Sequence, residues 1–375
     1  MARLLVFVVT EDWFFASHFL ARALAAKAAG WRVVLVAQES EAGARIRACG
    51  IELLAVKFAR RSLNPLGQMA LIWRLAWLYR ALKPDLVHHV ALKPILLGGV
   101  AARLAGVRAV VNAPVGLGFV FSSRTRLAQV LRPLVRGWLR LTLTPKGSAA
   151  VFETEADRGA MVAAGLAQAE RTAVIRGAGV DGEHFHPSPE PVGRVRVLMA
   201  ARLLRAKGVA VFAKAAGLLR GRAEFLLAGA PDRGNPDSFT PPEIAALAAQ
   251  HGFTWLGAVR DMAGLLAGVN IVCLPSSYGE GLPKILLEAQ ACARAVVASD
   301  IAGCRAAIGE EVGLLVAPDD VEALVGALGK LIDDRALRAD MGRAGRARVE
   351  RQFLDAQICA QTLALYGMLA PEWRE

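Results

Sequence analysis

No stretch of the 375-residue sequence reaches the roughly 18 uninterrupted apolar residues that a membrane-spanning helix requires. The best candidates, such as Met69 to Leu78, are cut by a charge, here Arg74. A spanning protein is thereby excluded, and a soluble or surface-bound globular one is expected. The apolar start ends at Thr10, Glu11 and Asp12 without a small-residue cleavage site, so it reads as a buried strand rather than a secretion signal. Cysteine is scarce: Cys49, Cys273, Cys292, Cys304 and Cys359 are odd in number, scattered, and form no C-x-x-C pair. That pattern excludes a disulfide framework and a zinc ribbon, and it fits reduced thiols in a cytosol. Asp-x-Asp is absent, and the adjacent aspartates Asp319-Asp320 and Asp333-Asp334 fall in late segments, so no metal site is expected. His184 and His186 could ligate an ion with Asp181, but in a Gly- and Pro-rich stretch they read as ordinary surface residues.

What is present is apolar: 55% of residues are hydrophobic and 21% charged, ample for packed cores, and the length suggests two domains at roughly 100–200 residues each. The net charge of +12 is unevenly spread. Residues 1–188 hold 24 Lys and Arg against 12 Asp and Glu, whereas residues 189–375 hold 21 of each. The excess therefore belongs to the first half, which is expected to face something anionic: phospholipid, a lipid diphosphate or nucleic acid. A nucleic acid is the poorest fit, since only the overall basicity speaks for it and no recognition motif with interleaved aromatics is present.

Short apolar runs alternate with helical periodicity throughout, which predicts an α/β protein with parallel sheets. Strands are expected at Leu4–Val9, Val33–Ala37, Glu52–Val56, Leu86–Val90, Ala109–Asn112 and Ala149–Phe152, then at Val195–Ala200, Glu224–Ala228, Thr254–Leu256, Ile271–Leu274 and Ala295–Ala298. Each half reads as its own doubly wound, Rossmann-like domain, 1–180 and 192–350, with a linker at 181–191 dense in Gly and Pro. Residues 351–375 are expected to form a helical segment packing back toward the first domain. Open α/β sheets bind ligands beyond the carboxyl ends of their strands, so the ligand is expected in a cleft between the two domains.

Two strand-end segments carry chemistry. Ser276-Ser-Tyr-Gly-Glu-Gly-Leu-Pro-Lys-Ile-Leu-Leu-Glu-Ala289 follows one strand and opens a helix. Its glycines allow close backbone approach, and the N–H groups at Gly281 and Leu282 are expected at the helix start, where they can hold a phosphate. Glu280 and Glu288 would stand about 12 Å apart if the residues between are fully helical, a separation suited to two hydroxyl-bearing parts of one nucleotide sugar. Met199-Ala-Ala-Arg-Leu-Leu-Arg-Ala-Lys-Gly208 follows another strand and offers Arg202 as a fork and Lys207 as a point charge to a diphosphate.

The pairing of Arg202-Leu-Leu-Arg-Ala-Lys207-Gly with Glu280-x7-Glu288 resembles the donor domain of family 4 glycosyltransferases of the two-domain GT-B fold. Gly179-Val-Asp, Trp255-Leu-Gly257 and Val296-Val-Ala-Ser-Asp300 leading to Gly313-Leu-Leu-Val-Ala-Pro318 add to the likeness. The resemblance implies that Arg202 and Lys207 bind the donor diphosphate, Glu288 the ribose hydroxyls and Glu280 the donor sugar, with the backbone of Gly281 and Leu282 on a phosphate. It also implies retaining transfer with no protein nucleophile, no metal and no cofactor beyond the nucleotide sugar. Ala59-Arg-Arg-Ser-Leu-Asn-Pro65, Leu92-Lys-Pro-Ile-Leu-Leu-Gly98, Gly116-Leu-Gly-Phe119 and Cys273-Leu-Pro-Ser-Ser-Tyr resemble bacterial transferases that build polyprenyl-linked oligosaccharides. That likeness implies a UDP-sugar donor, a lipid-diphosphate-linked saccharide acceptor, and a cytoplasmic enzyme held peripherally on the inner face of the membrane. A GDP-mannose donor, a non-polyprenyl acceptor and a sugar-nucleotide epimerase of the same fold stay open as alternatives.

Many family 4 members carry a histidine in the segment occupied here by Asn112-Ala-Pro-Val-Gly-Leu-Gly118, which has none. His18, after the first strand, matches a recurrent position in resembling transferases and is the preferred catalytic or acceptor-side group. His88 and His89 alternate along a strand, so at most one should face a cleft. In residues 123–141, Arg126, Arg132, Arg136 and Arg140 fall on one helical side and Leu127, Val130, Leu131, Leu134, Trp138 and Leu141 on the other, a pattern suited to an anionic membrane surface, with Pro133 expected to start or kink a helix.

Overall fold

Strands buried on both faces read as unbroken apolar runs, and such runs seed both sheets of the protein. The computed structural model describes residues 2–58, 64–115, 126–232, 235–277, 280–309 and 312–371. The chain divides into two units, Met1–Ala178 with Asp355–Glu375, and Gly179–Leu354.

The first unit holds seven parallel strands: β1 (Leu4–Glu11), β2 (Arg32–Gln38), β3 (Glu52–Ala55), β4 (Leu86–Val90), β5 (Ala109–Ala113), β6 (Ser148–Phe152) and β7 (Thr172–Val174), in the order β3-β2-β1-β4-β5-β6-β7. The second holds six: β8 (Arg196–Ala200), β9 (Glu224–Ala228), β10 (Thr254–Gly257), β11 (Ile271–Leu274), β12 (Ala295–Ser299) and β13 (Gly313–Val316), in the order β10-β9-β8-β11-β12-β13. In each sheet the first strand of the unit lies beside the fourth, and there the winding direction reverses. The eleven expected strands are present, three with the expected bounds and the others with ends shifted by a residue or two. β7 and β13 were not anticipated; both lie at sheet edges and are half-buried, so neither reads as a continuous apolar run.

In the first unit, helices α1 (Asp12–His18) and α2 (Leu20–Ala28) follow β1, α3 (Ala42–Ala48) follows β2, α4 (Pro65–Leu82) follows β3 and α5 (Leu92–Ala105) follows β4. Asn64 caps α4, accepting the Leu66 N–H at 3.1 Å, and Pro65 sits at the first helical position, where its missing N–H costs nothing. Helix α6 (Arg126–Leu143) runs on through Pro133. Leu139 and Leu143 carry its core contacts, while Leu134 and Leu141 of the expected apolar side are exposed, as are Arg136 and Arg140. The side chains of Arg126 and Arg132, like Gly116–Phe119 and 59–63, lie outside the described residues.

Helices α7 (Glu155–Ala163), α8 (Val209–Leu218), α9 (Pro241–His251), α10 (Met262–Ala267), α11 (Lys284–Ala291), α12 (Ala302–Ile308), α13 (Val321–Asp333), α14 (Arg335–Gln352) and α15 (Asp355–Leu369) complete the chain. Helix α15 returns to the first unit and packs on α2. Residues 181–191 pack within the second unit: Glu190 pairs with Arg338 and Arg335 and accepts from Asn270 at 2.9 Å, and Arg294 reaches the Ser188 hydroxyl. Gly and Pro break secondary structure there, yet these side chains anchor the stretch.

Candidate active site

Charged side chains converge beyond the carboxyl ends of β8 and β11, where the second sheet reverses. After β8 the chain makes a 3-10 turn, Arg205–Lys207, and Gly208 takes φ +80°, a left-handed conformation that also brings its α-carbon against the Pro275 carbonyl. A Cβ at that position would lie 1.8 Å from the Pro275 oxygen, so only glycine lets the two strand-end loops meet. The Ser277 N–H donates to the Ala206 carbonyl at 2.9 Å across the same junction.

This approach puts Lys207 on Glu280. The ammonium lies 2.6 Å from both carboxylate oxygens, and the Ser276 hydroxyl donates to Oε1 at 2.5 Å. The Glu280 side chain is only 7% exposed, so the pair is largely withdrawn from water and locked by the buried Ser276. Arg202 lies on the rim, with its guanidinium 2.9 Å from Asp232 on the loop after β9. On the other side of Glu280, Gly303 near the start of α12 packs so tightly that a Cβ would fall 1.7 Å from the Gly281 carbonyl, which fixes the 280–281 backbone.

Helix α11 begins at Lys284, with Pro283 as its N-cap, so Gly281 and Leu282 precede the helix instead of opening it. Proline disfavours helical backbone in the residue before it, which is why the helix cannot extend through Leu282. The run from Glu280 to Glu288 is accordingly not fully helical, and the 12 Å spacing does not apply. Glu288 lies within α11 and is nearly buried; Lys284, one turn earlier, comes within 3.4 Å. Burial pushes the Glu288 carboxyl above its ordinary value, while Lys284 and His184 act in the opposite direction. Asp181 accepts the N–H groups of Glu183 and His184 at 3.0 Å each, closing a turn that carries His184.

Of the seven residues expected at the site, six therefore belong to the second unit, and the structure joins Lys207 directly to Glu280. His18 belongs to the first unit, at the last turn of α1, with its ring stacked on Phe14 at 4.3 Å. His88 and His89 are both fully buried in β4 and face opposite sides of the sheet. His88 Nδ1 meets the Tyr366 hydroxyl at 2.6 Å, and His89 lies between the Tyr79 hydroxyl and Asn112 Oδ1, each at 3.0 Å. Burial drives the His88 value well down and the His89 value to about 4. Asn112, at the head of the segment where a histidine is common, spends its amide on His89 and the Thr142 carbonyl.

Sequence reasoning passed over Ser276 and Asp232, and it set His184 aside as an ordinary surface residue. Ser276 lay inside the quoted motif and Asp232 in a strand-end loop, so position pointed to both; the influence of His184 on Glu288 had no signal in the sequence.

Residues 5–143 match the family described as glycosyl transferase 4-like, and residues 194–334 the family described as glycosyl transferases group 1. The chain is 28% identical over 352 residues to N,N'-diacetylbacillosaminyl-diphospho-undecaprenol alpha-1,3-N-acetylgalactosaminyltransferase of Campylobacter jejuni, covering 89% of this chain and 90% of that one. It is 34% identical over 224 residues to alpha-maltose-1-phosphate synthase of Mycolicibacterium smegmatis, covering 52% and 57%. Among solved structures it is similar to HepE of Anabaena in complex with UDP and glucose, with a TM-score of 0.81 at 17% identity over 98% of this chain and 100% of that one. Sucrose-phosphate synthase of Thermosynechococcus elongatus gives 0.80 at 20%, over 98% and 99%.

Proposed function

With its two halves matching the 4-like and group 1 families in turn, the chain belongs to the glycosyltransferases of the GT-B fold, and from that premise we propose that it is a retaining enzyme moving a hexose or N-acetylhexosamine from a UDP-sugar to a polyprenyl-diphosphate-linked saccharide at an anionic membrane surface. The observation that carries this reading is the Lys207, Glu280 and Ser276 cluster at the switch point of the second sheet. Without donor, the ammonium and carboxylate neutralise each other. An incoming diphosphate competes for Lys207, with Arg202 as the second cation, and frees Glu280 to accept from a hydroxyl of the donor sugar. Glu288 accepts from the ribose hydroxyls, and the N–H groups of Gly281 and Leu282 face a phosphate.

Transfer then follows from charge. The sugar–phosphate bond breaks as the acceptor hydroxyl attacks from the same face and passes its proton to the departing phosphate oxygen, and Lys207 and Arg202, once taken over from their carboxylate partners, stabilise the departing diphosphate. His18 is the acceptor-side polar group in this scheme. The relative from Campylobacter jejuni is named for an undecaprenol-linked acceptor and an N-acetylgalactosaminyl group, which recommends that substrate pair for the test. Purified protein in detergent, UDP-N-acetylgalactosamine and undecaprenyl-diphosphate-linked diacetylbacillosamine are combined and the lipid product is weighed. A gain of one N-acetylhexosamine, lost in Glu280→Ala, is expected. A hydrolysed or epimerised donor with unchanged lipid would overturn the reading in favour of donor processing alone.

A further inference from the structure

Helix α4 is apolar on two sides. Leu75, Ala76 and Tyr79 are buried against the sheet. On the outward side of the same helix, Leu66, Met69, Trp73 and Trp77 are 78%, 56%, 56% and 70% exposed. At 100° per residue these four fall within about 80° of arc, so they form one stripe along the helix. Isolated exposed leucines need no explanation, but two largely exposed indoles in register with a leucine and a methionine do.

The neighbouring helices extend the surface. Arg80 on α4 donates to the Leu104 carbonyl of α5 at 2.6 Å, and Arg103 on α5 donates to the Leu141 carbonyl of α6 at 2.9 Å. These bridges tie the carboxyl-terminal ends of the three helices together, and Leu104 and Leu141 are themselves exposed beside them. The electrostatic setting is one-sided. Between Glu52 and Glu153 the sequence holds 15 Lys and Arg and a single acid, Asp85, whose carboxylate accepts the Leu4 N–H at 2.6 Å.

We infer that the Trp73 and Trp77 face of α4, bordered by Arg74, Arg80 and Arg103, is the surface by which the protein seats on an anionic lipid bilayer. Indoles favour the headgroup boundary, where an apolar body and a polar N–H are both satisfied, and basic side chains add attraction to anionic lipid. A protein partner would bring its own acids to so basic a surface; a bilayer supplies them as phosphates. The inference rests on the proposed lipid-carried acceptor only in choosing lipid over protein as the occupant. Among the described residues no helix is long and apolar enough to cross a membrane.

The test is co-sedimentation of the full chain with vesicles of phosphatidylcholine containing about one-third phosphatidylglycerol, against pure phosphatidylcholine. Wild type is expected to sediment with the anionic vesicles, and Trp73→Ser/Trp77→Ser to bind about tenfold or more weakly, with thermal midpoint and UDP affinity unchanged. Undiminished binding by the double variant would overturn the inference, as would a wild-type dimer that the variant dissociates, which would assign the face to a second copy of the chain. Sugar transfer in detergent separates this from the chemistry. Product without vesicle binding sinks the surface alone; vesicle binding without product sinks the transfer reading alone.

Discussion

In the first unit two fully buried histidines, His88 and His89, lie in the middle of the sheet on β4; in the second, Lys207 and Glu280 meet beyond strand ends, after β8 and β11. β4 and β11 hold the same place in their sheets, each beside the first strand of its unit. Yet β11 reads Ile-Val-Cys-Leu and is buried throughout. A polar group inside a sheet must be satisfied by fixed neighbours, as His89 is by Tyr79 and Asn112, and is then rigid and neutral. A polar group past the strand end can exchange its partner for a ligand. The unit with all the excess charge is thus not the one that holds the covered Lys207 and Glu280 pair. The excess lies largely on helix faces, and net charge in a sequence marks what a surface meets, not where chemistry happens.

The sharpest way to break this contrast is to remove Lys207. Lys207→Ala is expected to lower turnover about 10²–10³-fold, the loss typical of one preorganised charge-stabilising group. It also leaves the Glu280 carboxylate covered and without its cation, which costs on the order of 3 kcal/mol of stability. Lys207→Met/Glu280→Gln should recover most of that stability and none of the turnover. Chemical denaturation paired with product assay reads both quantities. A double variant that regains activity would show that the pair is structural, like those of the first unit.

The buried histidines sharpen the contrast from the other side. His89 is held at about 4 when folded, against an ordinary value of 6.5, so between these pH values the unfolded chain binds a proton that the folded chain refuses. Stability is full above 6.5 and falls with pH toward 4, by roughly 3 kcal/mol from this residue; the lowered His88 adds a loss of the same sign. His89→Gln should flatten the dependence of the urea midpoint on pH across that window, with UDP affinity unaltered at pH 7.5. An unchanged pH profile would show that His89 is not held neutral.

Glu288 carries the opposite sign. Its carboxyl is raised by burial, so the folded chain keeps the proton longer than the unfolded one, and this contribution to stability is lost as pH rises through the folded value. Glu288→Gln is therefore expected to be more stable than wild type at pH 8, the difference vanishing toward pH 4, while UDP affinity drops roughly tenfold. Calorimetric melting at several pH values with UDP titration checks the two together. A variant that melts lower at pH 8 would mean that Lys284 more than repays the burial of the carboxylate.

Most of the architecture was legible because parallel strands announce themselves as apolar runs, and only the half-buried edges β7 and β13 escaped. The pairing of Lys207 with Glu280 was not legible. The two stand 73 positions apart, and what joins them is the approach of Gly208 to Pro275, which no local pattern encodes. The helix start was misplaced for a local reason present in the sequence, Pro283 and its effect on Leu282. The outward side of α4 was hidden because an apolar residue says nothing of whether it meets a sheet or solvent: Leu75 and Trp77 differ only in which side of one helix they occupy.

The smallest expected effect discriminates between two ion pairs of the second unit whose arginines are alike in exposure. Arg202 with Asp232 and Arg305 with Asp300 are both about half exposed on the arginine side, with contacts of 2.9 and 2.6 Å. Exposed pairs of this kind contribute about 0–1 kcal/mol, so replacing either arginine by lysine should leave the melting temperature nearly unchanged. The two differ in place: Arg202 follows β8 at the reversal point of the sheet, and Arg305 sits on α12. A guanidinium fork grips a diphosphate at two oxygens where an ammonium offers one point charge. Arg202→Lys should therefore weaken UDP binding by roughly three- to fivefold, and Arg305→Lys should leave it alone. Equal UDP affinities in the two variants would remove Arg202 from the diphosphate and leave Lys207 as the cation on which leaving-group stabilisation depends.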